Sequence, residues 1–204
     1  MTWQKRVLDM SVSVLLALIL FPVLGVVIVV LLITQGRPVF YISERMRSPT
    51  EPFALIKLRT MPVMAADSGV TGGNKLVQMS RLQRVLRRSR ADELPQLWNV
   101  LRGDISLVGP RPPLRIYVEA YPDIYRQVLK SRPGITGLAS LRFHEHEERL
   151  LRACTTAAQT DATYRQRCIP RKARLDAIYA AHASVCFDLA LIAQTAAKPF
   201  HRKG

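Results

Sequence analysis

Two carboxylates stand side by side at Asp92 and Glu93, in a chain that carries 30 Lys and Arg against 15 Asp and Glu. Leu94, Leu97, Trp98 and Leu101 follow at the i, i+3, i+4, i+7 spacing of one buried helix face. Pro95 is tolerated only in a first helical turn, which predicts a helix starting near Asp92, and Gly103 supplies its stop. The acidic pair then sits at a helix N-terminus, where free N–H groups and the positive dipole end attract anions. Asp92 could serve there simply as an N-cap. Successive helical residues diverge by about 100°, so the pair could also divide its work. One carboxylate would face a phosphorus atom, while the other held a hard cation such as Mg²⁺ against phosphate oxygens.

Cations approach this pair from three directions. Ser80 reads as the N-cap of a helix in which Arg81, Arg84, Arg87 and Arg88 share one face and Leu82, Val85 and Leu86 the other. Such a face is solvated, lies on an anionic membrane surface, or presents arginines to phosphate. In the strand predicted over Phe53–Met61, Phe53, Leu55, Lys57 and Arg59 point to one side. Two cations there could reach a diphosphate, or could guard a sheet edge. Gly109-Pro110-Arg111-Pro112-Pro113 is stiff and would hold Arg111 at little entropic cost, which suits a bidentate phosphate contact.

The elements that carry these side chains fit one core in 204 residues, with no internal repeat. A formal charge of +15 calls for an anionic partner, but aromatics are only 7% and no nucleic-acid-binding motif accompanies the charge. Cys154, Cys168 and Cys186 are too few and too widely spaced for a disulfide framework or a zinc site, so they read as structural thiols in a reducing compartment. Val14–Ile33 is an uncharged run of 20 residues flanked by Lys5, Arg6 and Arg37. A helix of that length just crosses the hydrocarbon core. Pro22 and Gly25 interrupt it, and basic residues on both flanks give no orientation, so a helix–break–helix returning to the same leaflet fits as well as a span. Asp9 lies within helical reach of Lys5 and Arg6, which predicts pairing among the three.

The segment Ala91–Pro112 resembles the signature of the bacterial sugar transferases, the monotopic polyprenyl-phosphate hexose-1-phosphate transferases. The likeness extends to Lys5-Arg6-x-x-Asp9, Lys57-Leu58-Arg59-Thr60-Met61, Pro133-Gly134-Ile135-Thr136-Gly137-Leu138, and Asp176-x-x-Tyr179 with Asp188. It implies transfer of hexose 1-phosphate from a UDP-sugar to undecaprenyl phosphate, the first membrane step of capsule, O-antigen, exopolysaccharide or glycoprotein glycan synthesis. Asp92 would be the nucleophile that forms a phosphosugar intermediate and expels UMP, and Glu93 would bind Mg²⁺. Lys57, Arg59, Arg87, Arg111 and Asp104 would hold phosphates or substrate. The implied fold is mainly helical α+β: a re-entrant helix kinked at Pro22 over residues 1–35, then a catalytic domain over 36–204 with interfacial amphipathic helices and a small β element. The resemblance places it on the cytoplasmic face of the bacterial inner membrane, against membrane lipid, with no nucleic-acid partner, and leaves a homodimer open. Phe21, Arg47 and Ser140 stand where the family commonly has serine, glycine and glutamine.

The rest of the chain reads as helices. They are predicted over 116–130 with a break at Pro122, over 145–167 with Leu150, Leu151, Cys154, Ala157 and Ala158 as a buried stripe, and over 171–181 and 184–198. The last carries Asp188 and is therefore expected to pack and not to span. The rival to an enzyme is a membrane-anchored basic binding module without chemistry. It leaves the acidic pair unexplained.

Overall fold

The computed structural model describes residues 2–60 and 80–201. The loop predicted over 61–75 lies outside the described residues. The fold is mainly helical α+β, as expected. Helix α1 (Trp3–Gln35) leads to a hairpin of β1 (Phe40–Met46) and β2 (Pro52–Leu58), then to α2 (Arg81–Ser89), a 3-10 turn (Ala91–Glu93) and α3 (Gln96–Arg102). Strand β3 (Ser106–Val108), α4 (Arg115–Ala120), α5 (Pro122–Val128) and β4 (Gly134–Thr136) follow. Helices α6 (Leu138–Arg152) and α7 (Ala157–Thr163), a π-helical segment (Tyr164–Cys168), α8 (Ile169–His182) and α9 (Val185–His201) complete the chain.

The antiparallel hairpin pairs Phe40 with Leu58 through Met46 with Pro52. Arg47, where the family commonly has glycine, keeps an ordinary negative φ and closes the turn onto Glu51 through its backbone N–H and its guanidinium. A second sheet is parallel: Ser106 pairs with Gly134, and Val108 with Thr136. It was not expected from the sequence, because three-residue strands show no alternation. It brings two motifs into backbone contact. A Cβ on Gly109 would lie 2.1 Å from the carbonyl oxygen of Arg132, and one on Gly134 would lie 2.2 Å from the Gly109 nitrogen. Only glycine fits at that crossing. The Gly109 N–H donates to the Thr136 carbonyl and the Gly134 N–H to the Pro110 carbonyl, both at 2.8 Å.

Helix α1 is the one described helix long and apolar enough to cross a membrane. Its 33 residues extend to roughly 50 Å. The expected non-helical break is absent: Pro22 lies within one continuous helical element. Proline deletes a single N–H, and the turns on either side keep theirs. Both ends of α1 pack on the same body. Val12, Leu16 and Ala17 lie against the central core of Phe53, Leu55, Val100, Ile105 and Val108. Leu24, Val27, Ile28 and Leu31 join a second cluster with Val39, Leu58 and Leu86. Between them Leu18 and Phe21 are 71% and 75% exposed.

Asp9 does not pair with Lys5 and Arg6 as expected. Its carboxylate is buried and accepts from Ser106 Oγ (2.7 Å) and the Leu107 N–H (3.2 Å). Arg6 instead caps the carbonyl end of α3, donating to the Val100 and Leu101 oxygens at 2.7 and 2.8 Å. Lys5 pairs with buried Asp188, which also accepts from Tyr179 Oη at 2.8 Å. Asp188 and Leu191 are each 1% exposed, so α9 packs into the core as predicted. The helix predicted over 145–167 is three segments; Leu151 is buried, whereas Ala157 and Ala158 are exposed at the start of α7.

Candidate active site

Ser80 caps α2 with a full capping box to Gln83, as its position predicts. The helix ends at Arg90, whose backbone is left-handed (φ 58°, ψ 19°). That reversal turns the chain inward and starts the 3-10 turn bearing Asp92 and Glu93. Pro95 has no N–H to give to the Ala91 carbonyl, so the turn stays 3-10 (Leu94 N–H to Ala91 at 3.2 Å) and the α-helical ladder begins only at Gln96. The helix start expected near Asp92 is therefore displaced, and Asp92 caps nothing: the turn has no side-chain cap. The predicted buried face of α3 is also rotated. Leu97 is buried, but Trp98 is 57% exposed, and Gln96, Asn99 and Val100 point inward.

The two carboxylates are buried in different surroundings. Glu93 Oε1 accepts from Arg111 Nη2 at 3.0 Å and lies 3.9 Å from Lys57 Nζ; its Oε2 lies 3.9 Å from Arg90 Nη1. Burial, the largest influence on Glu93, acts to raise its pKa, but Arg111, Lys57 and Arg90 together outweigh it and hold it at about 2. Asp92 makes no hydrogen bond or ion pair among the described residues. Burial and the Glu93 charge push its pKa up to about 6, against the pull of Lys57, Arg87 and Arg111. Lys57 is depressed to about 8 by burial and by Arg111, with Glu93 opposing. Arg111 is raised by Glu93, and it also feels Glu147 and Tyr164 on its far side. There Lys172 Nζ sits 3.2 Å from both Glu147 oxygens.

Of the residues predicted from sequence, Asp92, Glu93, Lys57 and Arg111 converge, and Arg87 acts electrostatically on Asp92. Arg59 does not join them, although it follows Lys57 by one strand period. Its guanidinium donates to the Gln35 and Gly36 carbonyls at 2.9 and 3.0 Å, sealing the end of α1. Asp104 is also turned away, accepting from Asn99 Nδ2 at 3.0 Å. Pro22 is an exposed residue of α1, remote in sequence and in contacts from the acidic pair. Sequence reasoning missed Arg90, whose role depends on its left-handed backbone, and Arg45 and Gln96, which line a narrow cavity with Lys57 and Arg111. Arg45 faces Phe53 across the hairpin, a register that only the fold supplies.

Glu93 Oε2 is buried without a hydrogen-bond partner. A hard cation would satisfy it. No cluster of three or more His, Cys, Asp or Glu side chains lies among the described residues. The residues that could hold such a cation are Glu93, through Oε2, and Asp92 beside it, with the rest of its shell left to phosphate oxygens and water.

The family model for bacterial sugar transferases matches residues 1–202. The sugar transferase EpsL of Bacillus subtilis (strain 168) is 37% identical over 140 residues, 67% of this chain and 67% of EpsL. The UDP-glucose:undecaprenyl-phosphate glucose-1-phosphate transferase of Caulobacter vibrioides (strain ATCC 19089 / CIP 103742 / CB 15) is 37% identical over 144 residues, 68% of this chain and 54% of the relative. The protein of that name from Escherichia coli (strain K12) is 30% identical over 207 residues, 98% of this chain but 40% of the relative.

Proposed function

The chain belongs to the bacterial sugar transferase family, and from that premise we propose that it transfers a hexose 1-phosphate from a UDP-sugar to undecaprenyl phosphate. The observation that carries this reading is the asymmetry of the acidic pair. Glu93 is clamped by three cations, while Asp92, one residue away, is buried, unpaired and aimed into the same cationic cluster. A nucleophile must be free, and a structural carboxylate need not be.

An Asp92 carboxylate oxygen attacks the sugar-side phosphorus of the donor. The new P–O bond forms as the bond to UMP breaks, and UMP leaves with the electron pair. An oxygen of the lipid phosphate then attacks the same phosphorus, releasing the Asp92 carboxylate and giving undecaprenyl-diphosphate-sugar. Attack by an anion on an anionic diphosphate requires screening, which Lys57, Arg111 and Arg87 supply from fixed positions. Glu93 holds Arg111 and Lys57 in place, and its Oε2 would hold Mg²⁺. The ion would supply neutralisation of charge on the diphosphate and on the departing phosphate.

The anchoring of α1 supports a re-entrant topology at the cytoplasmic face of the inner membrane. Arg6 and Asp9 tie its start to α3 and β3, and Arg59 ties its end to β2. A single span would send one of those ends to the opposite side of the bilayer, away from the body it packs on. UDP-sugars are cytoplasmic, so with such a donor the proposal puts that body, and both ends of α1, on the cytoplasmic side.

The test is to incubate detergent-solubilised protein with a panel of UDP-sugars, Mg²⁺ and undecaprenyl phosphate. UMP release is expected with at least one donor and its loss in Asp92→Asn. Donor without acceptor should leave a hexose-phosphate mass on the Asp92 peptide. Turnover that survives Asp92→Asn would overturn the mechanism, and no UMP with any donor would overturn the function.

A further inference from the structure

We infer that Asn99 is a positioning residue of the transfer reaction: its side-chain amide replaces a missing third strand on the open edge of β2 and so fixes Lys57 against the acidic pair. The hairpin has two strands, so the β2 edge facing away from β1 has backbone groups to satisfy. Asn99, only 1% exposed, meets that edge as a peptide group would. Its Nδ2 donates to the Ala54 carbonyl (2.8 Å), and its Oδ1 accepts from the Ile56 N–H (3.2 Å). One amide thus spans the O(i−1) and N(i+1) groups around Leu55, the pattern by which a neighbouring strand docks.

The orientation of the amide is settled by its backbone partners, since the Ala54 carbonyl can only accept and the Ile56 N–H can only donate. The second Nδ2 hydrogen goes to Asp104 Oδ2 at 3.0 Å. The backbone oxygen of Asn99 accepts from the Asp104 N–H at 2.9 Å, so the same short loop holds both ends of the residue. Asp104 acts here through Asn99 and not on substrate.

The consequence falls on Lys57, which follows Ile56 directly, while Asn99 lies on the helix that continues the Asp92–Glu93 turn. Leu55 of β2 and Leu97 of α3 belong to one apolar core, but apolar packing is non-directional and does not set the register between the two elements. The Asn99 bonds are directional. They hold Lys57 Nζ at 3.9 Å from Glu93, a separation that a small slip along the strand would open.

The inference rests on the proposed reaction, and its test separates the two. In Asn99→Ala, kcat/KM for UMP release is expected to fall on the order of tenfold or more per folded molecule, and adding Lys57→Met to it should cost little beyond either single change, because Asn99 acts through Lys57. Asp104→Asn, which can still accept from Nδ2, should keep the wild-type rate, and Asp104→Leu should lower it in the direction of Asn99→Ala. Should Asn99→Ala give no folded protein, the Asp104 pair decides. Exchange of the Ile56 amide needs no substrate, and it should quicken in Asn99→Ala and in Asp104→Leu. Wild-type kcat/KM per folded molecule, or rate losses of Asn99→Ala and Lys57→Met that simply multiply, would make Asn99 merely structural. An Ile56 amide that exchanges as in wild type overturns the inference even in a protein that proves to catalyse something else.

Discussion

Asp92 and Glu93 share one 3-10 turn, and burial acts on both in the same direction, yet they titrate far apart. Three cations reach Glu93 closely, whereas Asp92 receives the Glu93 charge as an added burden. In the proposed mechanism the attacking form of Asp92 is the carboxylate, so kcat/KM is expected to rise with pH through about 6. It should fall again above about 8 as Lys57 loses its proton, giving a bell in the free-enzyme profile. Lys57→Arg should remove the alkaline limb and keep the acid one. The same shifts enter stability with opposite signs. The folded pKa of Asp92 lies above its ordinary 3.8, so its contribution is present below 3.8 and lost as pH rises through about 6, leaving a penalty at neutral pH. Asp92→Asn should therefore raise the thermal midpoint at pH 7.5, by a free energy of about 1–3 kcal/mol, while abolishing transfer. Glu93 lies below its ordinary 4.5, so its contribution is present above 4.5 and lost as pH falls through about 2. Glu93→Gln should lower the midpoint at pH 7.5. Melting the two variants beside wild type checks both, and a stabilised Glu93→Gln would contradict the clamp.

At the level of elements, the site depends on backbone crossings more than on long secondary structure. Arg111 is held by a four-residue turn pressed onto β4 through Gly109 and Gly134. A Cβ at Gly109 would meet the backbone oxygen of Arg132 at 2.1 Å, and that oxygen belongs to the β4 approach and cannot swing aside as a side chain would. Gly109→Ala should cost about 1–3 kcal/mol or more and displace Arg111, which fluorescence-monitored unfolding and UMP release would register together. A variant with wild-type stability and rate would refute the close approach. Asp9 performs a comparable service from the membrane helix. With its carboxylate removed, Ser106 Oγ and the Leu107 N–H are left buried and unpaired, at a cost of about 1–3 kcal/mol. Asp9→Ala should loosen α1 and β3 together, seen as faster amide exchange at Leu107 and neighbouring residues.

Across the whole molecule, both ends of α1 are fastened to the catalytic body, while Leu18 and Phe21 between them are left uncovered by protein. A large exposed apolar stretch of this kind marks a lipid contact. Single cysteines introduced at Thr2 and at Arg37 in a chain lacking Cys154, Cys168 and Cys186 should both react with a membrane-impermeant maleimide only in inside-out vesicles or after lysis. Labelling of either position in intact spheroplasts would establish a span and end the re-entrant reading. The membrane helix and the acidic pair are thereby one design problem: Arg6 seals the carbonyl end of the helix whose beginning follows the Asp92–Glu93 turn.

The sequence by itself determined what depends on residue type and near spacing. It showed the capped helix at Ser80, the apolar run, the acidic pair, the stiff arginine turn, and a family likeness strong enough to name a reaction class. It could not separate Lys57 from Arg59. Both follow the same strand alternation, but β2 ends at Leu58, and only the tertiary structure brings the Gln35 and Gly36 carbonyls to Arg59 and Glu93 to Lys57. It likewise placed Trp98 inside and left Asn99 unremarked, because apolar spacing is blind to a strand edge that needs an amide. The unequal state of Asp92 and Glu93 also belonged to the tertiary structure. It arises from cations contributed by β2, the left-handed Arg90 and the Gly109–Pro112 turn, segments whose distances from one another no local pattern encodes.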